Sequence, residues 1–186
     1  TSGTVSSNIG EMTQKVADLA LDGARGNSGA ILAQFFVGLA EGLEGKPKMS
    51  VIDFSDAFQK ASECAWDALS NPREGTILTV FKDLSKFLIE YTSNPDNDDF
   101  SPLMNQCLVK AQESLDHTPE QMQLLKKAGV VDAGAQGFID LLKGINNFIQ
   151  SGQIRELGEI INVPKEVEEL SNNHDFSNLT YQFCTE

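Results

Sequence analysis

The sequence predicts an all-α fold, an antiparallel up-and-down helical bundle or barrel, and three observations carry that expectation. Apolar residues recur at three- and four-residue steps through most of residues 1–152. The segments so marked are separated by short runs of Gly, Pro, Asn and Asp, which stop helices and turn chains. Before Leu179 no stretch alternates apolar and polar side chains convincingly enough for a half-buried strand. Seven consecutive helices joined by short loops pack most simply as antiparallel neighbours.

The first helix carries Ile9, Met12, Val16, Leu19 and Ala20 on one face and is expected to end near Ala24. After a Gly-rich break Ser28 can cap the second, whose apolar positions are Ile31, Leu32, Phe35, Phe36, Leu39 and Leu43 and which stops at Gly45 to Pro47. The third opens at Asp53, carries Phe54, Ala57, Phe58, Ala61, Cys64, Ala65 and Leu69, and breaks at Asn71 and Pro72, because proline disfavours helix in the residue before it. The fourth starts near Thr76 with Ile77, Val80, Phe81, Leu84, Phe87 and Leu88 inward, and ends before the turn formers Asn94 to Asp99. The fifth spans Phe100 to Leu115. Thr118, Pro119 and Gln121 combine an N-cap, a first-turn proline and a capping partner, which predicts a short sixth helix from Pro119 to Ala128 ended by Gly129. The seventh carries Phe138, Leu141, Leu142, Ile145, Phe148 and Ile149, preceded by a loop over Val130 to Gly137 and followed by Gly152. Beyond it the chain turns Glu- and Asn-rich, and Leu179, Tyr181 and Phe183 alternate with polar residues, which reads as a linker and one strand.

With 186 residues, 40% of them hydrophobic, the chain is long enough for one well-buried core. Fourteen basic residues against 27 acidic ones leave a net charge of −13, which repels phosphate backbones and anionic bilayers and argues against a general nucleic-acid or lipid-surface binder. Cys64, Cys107 and Cys184 are odd in number and widely spaced, so neither a disulfide framework nor a zinc site is indicated and a reducing, cytoplasmic setting is expected. No apolar run approaches the roughly 20 residues of a membrane span, and no basic-then-apolar leader opens the chain. Thr1 in first place and a lone strand in last suggest a fragment of a longer protein.

Three segments offer chemistry. Gly23-Ala24-Arg25-Gly26-Asn27-Ser28-Gly29 places three glycines between two helices, where backbone amides beside a helix start can hold an anion such as phosphate. The same residues also make an ordinary tight turn with Ser28 as N-cap, and no Walker A ending is present. Arg73-Glu74-Gly75-Thr76 stands at the mouth of the fourth helix, and Val130 to Gly137 surrounds Asp132 with small residues at the start of the seventh; alone, Thr76 and Asp132 are N-caps. In an antiparallel bundle the openings of helices two, four and seven could converge on one rim and offer several N-termini to one anionic ligand.

These segments, in this order, resemble the nucleotide-binding, DhaL-type domain of dihydroxyacetone kinases, and most nearly its version in bacterial fatty acid kinases. The likeness lies in Gly-Ala-Arg-Gly-Asn-Ser-Gly (Gly23 to Gly29), Glu-Gly-Thr-Ile-Leu-Thr-Val (Glu74 to Val80), Val-Val-Asp-Ala-Gly with a following Gln-Gly (Val130 to Gly137), and a tail, Leu179 to Glu186, that looks like the strand opening the next domain. The resemblance implies an eight-helix barrel holding Mg-ATP at one end and phosphoryl transfer to an acceptor presented by another domain or protein. By motif position Gly26, Asn27, Ser28 and Gly29 would hold phosphates, Thr76 would line the nucleotide site, and Asp132, Ala133 and Gly134 would flank the nucleoside end. The acceptor it implies is a fatty acid carboxylate on a DegV-like lipid-binding partner. Residues 1–152 would be the helical nucleotide-binding domain and residues 153–186 a linker and the start of the next.

The family's metal ligands stand in an Asp-Gly-Asp loop upstream of the first motif, and Thr1 to Gly10 contains no Asp or Glu. The resemblance therefore implies that the magnesium loop and the first of eight helices precede Thr1, that this chain alone is inactive, and that seven helices leave an open seam, to be tolerated by pairing with another copy as a homodimer or by partial loss of the first helix. Two other classes stay open: a kinase for a small hydroxyketone, and a non-catalytic helical module that docks a partner. No catalytic residue is assigned. His117 and His174 are expected at the surface, Trp66 in a partly buried packing role, Cys64 and Cys107 buried, and Asp96, Asp98 and Asp99 in a solvated turn rather than a calcium loop.

Overall fold

The computed structural model describes residues 8–152. Within them the chain forms α1 (Ile9–Gly23), α2 (Gly26–Gly42), α3 (Val51–Asp67), α4 (Ile77–Thr92), α5 (Phe100–Gln121), α6 (Gln123–Ala128) and α7 (Ala133–Ser151), with no strand among the described residues. Neighbours in sequence pack as neighbours in space from α1 to α5, and α7 closes against α5 and α4. This is the all-α bundle that the periodicity predicts. The linker and strand expected after Gly152, and His174 and Cys184 with them, lie outside the described residues.

The core gathers aromatic rings from four helices. Phe35 of α2 stacks on Phe81 of α4 at 4.3 Å between ring centroids and meets Phe58 of α3 and Phe138 of α7 edge-on at 5.0 and 5.5 Å. Such offset and edge contacts add to the gain from burying the rings, and here they fix α2, α4 and α7 around one point. The α2–α3 contact is closer still. A Cβ built on Gly38 would stand 2.7 Å from the Cα of Ala61, and one on Gly42 2.6 Å from that of Ala57, so these helices approach backbone to backbone across small residues.

Several helix boundaries differ from expectation for identifiable reasons. Ser28 does not cap α2, which opens two residues earlier at Gly26 with Arg25 in the cap position. α3 begins at Val51, ahead of Asp53, because Ser50 and Asp53 form a reciprocal capping box, with Asp53 also paired to Lys46. It ends at Asp67, before the Asn71–Pro72 break. α5 runs six residues past Leu115, through Pro119, and the expected Pro119–Ala128 helix shrinks to Gln123–Ala128. Proline has no amide to offer the carbonyl four residues back. Here that carbonyl, on Leu115, instead accepts the Thr118 hydroxyl at 2.7 Å, so the helix continues and Thr118 is no N-cap. α6 stops at left-handed Gly129, as expected. α7 starts at Ala133, five residues before Phe138, because Asp132 caps it.

The apolar stripe of α1 exists but faces outward. α1 packs on α2 and buries only Gly10 and Ala17, leaving Met12, Val16 and Leu19 exposed, Leu19 by 71%. Leu141, Ile145, Phe148 and Ile149 of α7 are exposed as well. The last helices at either side of the bundle thus each show an uncovered apolar face. Cys107 is buried and Cys64 only half-buried, Trp66 is half-buried with the Lys82 ammonium 5.5 Å from its ring, and His117 is exposed.

Candidate functional site

The openings of α2, α4 and α7 meet at one end of the bundle around a cavity of about 420 Å³. Its lining includes Asn27 and Ser28 from α2, Ile77 from α4 with Thr76 before it, and Asp132 before α7, with Arg73 and Asn71 at the polar side. Leu69, Met122, Leu124 and Leu125 form an apolar wall. The α2 and α7 openings lie against each other: a Cβ on Gly134 would fall 3.0 Å from Ser28 Oγ and 3.2 Å from Asp132 Oδ2. Gly134 is thus the residue type that this closeness permits.

Asp132 joins two of these openings. Its Oδ2 accepts the Ala135 amide at 2.8 Å, as an N-cap does, and also the Ile77 amide of α4 at 3.1 Å. The Asp132 amide in turn donates to Thr118 Oγ1 at 3.3 Å. Thr76 caps α4 by accepting the Leu78 amide at 3.3 Å, and its hydroxyl donates to the Arg73 carbonyl. The Gln136 amide donates to the Asp132 carbonyl. The Ile77, Leu78 and Thr79 amides of α4 and the Ala135 and Gln136 amides of α7 are therefore already met by the protein's own oxygens. α2 differs, because its N-cap Arg25 makes no side-chain cap hydrogen bond and turns its guanidinium back to the Asp22 and Ala24 carbonyls. The three openings do converge, and of the three α2 alone has no side-chain cap hydrogen bond. Gly26, with φ +65°, makes the turn into it, and Asn27 and Ser28 are exposed on its first turn.

The approach to α4 is held from behind. Gly75 has φ +81°, a left-handed conformation, and a Cβ there would lie 2.9 Å from the Thr118 carbonyl oxygen, so both backbone and space call for glycine. The Gly75 amide donates to buried Thr79 Oγ1 at 2.8 Å, and that hydroxyl donates to Glu74 Oε2 at 2.9 Å. Lys82 binds the other Glu74 oxygen at 2.6 Å, and this contact holds the Glu74 carboxyl below its ordinary range while raising the lysine.

The magnesium ion implied by the resemblance finds no donor set among the described residues. No three His, Cys, Asp or Glu side chains there stand close enough to hold a metal, and the one carboxylate lining the cavity, Asp132, spends Oδ2 on two amides. Nor is a hydrolytic triad formed beside His117: Ser114 donates to Asp83 at 2.7 Å, whereas His117 Nδ1 faces the Glu113 carbonyl, which raises its pKa. No helix of the described residues is long and apolar enough to cross a membrane.

Gly26 to Gly29, Thr76 and Asp132 to Gly134 thus stand at one end of the bundle. Of the apolar wall the sequence marks only Leu69, as an apolar position of the third helix and not of a site. Leu69 sits in a loop past the end of α3, Met122 is the cap between α5 and α6, and Leu124 and Leu125 belong to a six-residue helix too short for a periodicity signal. The available hint was a pair of leucines in a segment otherwise polar.

Residues 2–147 match the DAK2 domain, and the chain belongs to that family, the DhaL-type domain of the dihydroxyacetone kinase family. It is a kinase-related family of nucleotide-binding domains. The chain is 36% identical over 188 aligned residues to an uncharacterized protein of Staphylococcus epidermidis and 35% identical to one of Staphylococcus aureus. Each alignment takes in 98% of this chain and 33% of the relative, so the chain spans about a third of the length of these curated relatives.

Proposed function

We infer that the chain is the ATP-binding domain of a phosphotransferase of the fatty-acid-kinase kind, which passes the γ-phosphate of ATP to a fatty acid carboxylate held by a DegV-like partner. One observation carries the nucleotide part: three helix openings far apart in sequence share a cavity with a donor-rich side and an apolar wall. The α2 amides, with Asn27 and Ser28, receive the phosphates, because theirs is the opening without a side-chain cap. Thr76 and the Asp132-Ala133-Gly134 corner flank the nucleoside, and Leu69, Met122 and Leu125 keep water from the base. Phosphoryl transfer depends on positioning and charge neutralisation more than on a covalent intermediate, and a rigid cavity at helix starts supplies positioning. The fatty acid as acceptor and the DegV-like partner rest on the resemblance in Glu74 to Val80 and the tail.

The test is the double variant Asn27→Ala, Ser28→Ala. ATP affinity measured by calorimetry should be lost, while the thermal midpoint stays within the range of a surface substitution, because Ser28 caps nothing. Unchanged affinity would remove the phosphate assignment.

A further inference from the structure

We propose that Thr118 is a positioning residue for the nucleoside end of the site, acting through Asp132. Thr118 is fully buried on α5, and its hydroxyl lies between two partners, donating to the Leu115 carbonyl at 2.7 Å and accepting the Asp132 amide at 3.3 Å. The first bond compensates for Pro119, which leaves the Leu115 carbonyl without its usual helical donor. The second holds the backbone of Asp132, whose Oδ2 then reaches both the Ile77 and Ala135 amides. The same residue's carbonyl oxygen sets the limit against which Gly75 packs. One buried residue thereby sets the spacing of the α4 and α7 openings, and neither of its two hydroxyl bonds reaches α2.

This proposal rests on the nucleotide reading above for what the spacing serves, and not for the brace itself. The experiment compares Thr118→Val, which keeps the shape and removes the hydroxyl, with Thr118→Ser, which keeps the hydroxyl and removes a methyl group. Amide hydrogen exchange of Ile77 and Ala135 is read by NMR in the 186-residue chain, and affinities for ATP and for inorganic tripolyphosphate are read by calorimetry. Thr118→Val should deprotect both amides and weaken ATP about tenfold, the equivalent of one lost hydrogen bond, while leaving tripolyphosphate unchanged. Thr118→Ser should restore both amide protection and ATP affinity. A purely structural role would instead weaken ATP and tripolyphosphate together and would overturn the proposal. Unchanged exchange in Thr118→Val would overturn the brace, and deprotected amides with unchanged ATP affinity would overturn its role at the site. A wild-type chain that binds no ATP would defeat the nucleotide reading and with it the role at the site, while exchange still decides the brace.

Discussion

Replacing Asp132 tests the geometry of the site most sharply, because one carboxylate oxygen closes two helix starts. Asp132→Ala removes an N-cap from α7, worth about 1 kcal/mol, and a second hydrogen bond from a charged acceptor to the Ile77 amide, worth about 1.5–3 kcal/mol. The side chain is half-buried, so water repays part of this, and a net loss of about 2–3 kcal/mol is expected. In urea unfolding that lowers the midpoint by about 1 M without a change in slope. Asp132→Asn keeps a cap oxygen and should lose about 1 kcal/mol or less. Two outcomes would refute the reasoning: Asp132→Ala within about 0.5 kcal/mol of wild type, or Asn as damaging as Ala. The first would mean that the α4–α7 staple contributes nothing, and the second that carboxylate charge matters more than the cap.

Three further outcomes follow from the packing and charge. Gly38→Ala should destabilise the protein by about 1–3 kcal/mol in thermal unfolding, since its methyl would press on the backbone of α3; a neutral result would show that α2 and α3 separate at little cost. The Lys46 hydrogen bond, with those from Ser50, holds the Asp53 carboxyl down at about 2 against an ordinary 3.8. A lowered folded-state pKa stabilises above the unfolded value and is lost as pH falls from 3.8 toward about 2, so Lys46→Met should move acid unfolding to higher pH; an unmoved acid midpoint would leave the pair without effect. Burial pushes the Cys107 thiol up to about 12, so it should resist a thiol reagent in the native state and react only on unfolding. Reaction with native Cys107 would contradict its burial.

What was legible in the sequence divides along the range of the forces involved. Helix stripes and glycine stops are local signals, so six of the seven helices can be read from spacing and the sixth from its turn residues and the Gly129 stop. Boundaries failed where one local signal overrode another. Pro119 reads as a helix start until the Thr118 hydroxyl is seen to satisfy the Leu115 carbonyl, and Ser28 reads as a cap although the turn at Gly26 starts α2 earlier. For the site, Ser28, Thr76 and Asp132 were visible as hydroxyl and acid residues at helix starts. The consumption of α4 and α7 amides by Asp132 was not, because a contact between residues 77 and 132 leaves no mark on local spacing. The outward stripe of α1 is the same lesson reversed: periodicity identifies an apolar face and says nothing of what covers it.

Calorimetric titration of ATP, with and without magnesium, tests the central claim most directly. It is made on the 186-residue chain and on a longer protein carrying an Asp-Gly-Asp loop before Thr1. The account predicts that ATP binds to both and that magnesium strengthens binding only in the longer protein, because the described residues offer the cavity and no metal cluster. Absence of binding in both would contradict it and leave a helical module that docks a partner as the better description.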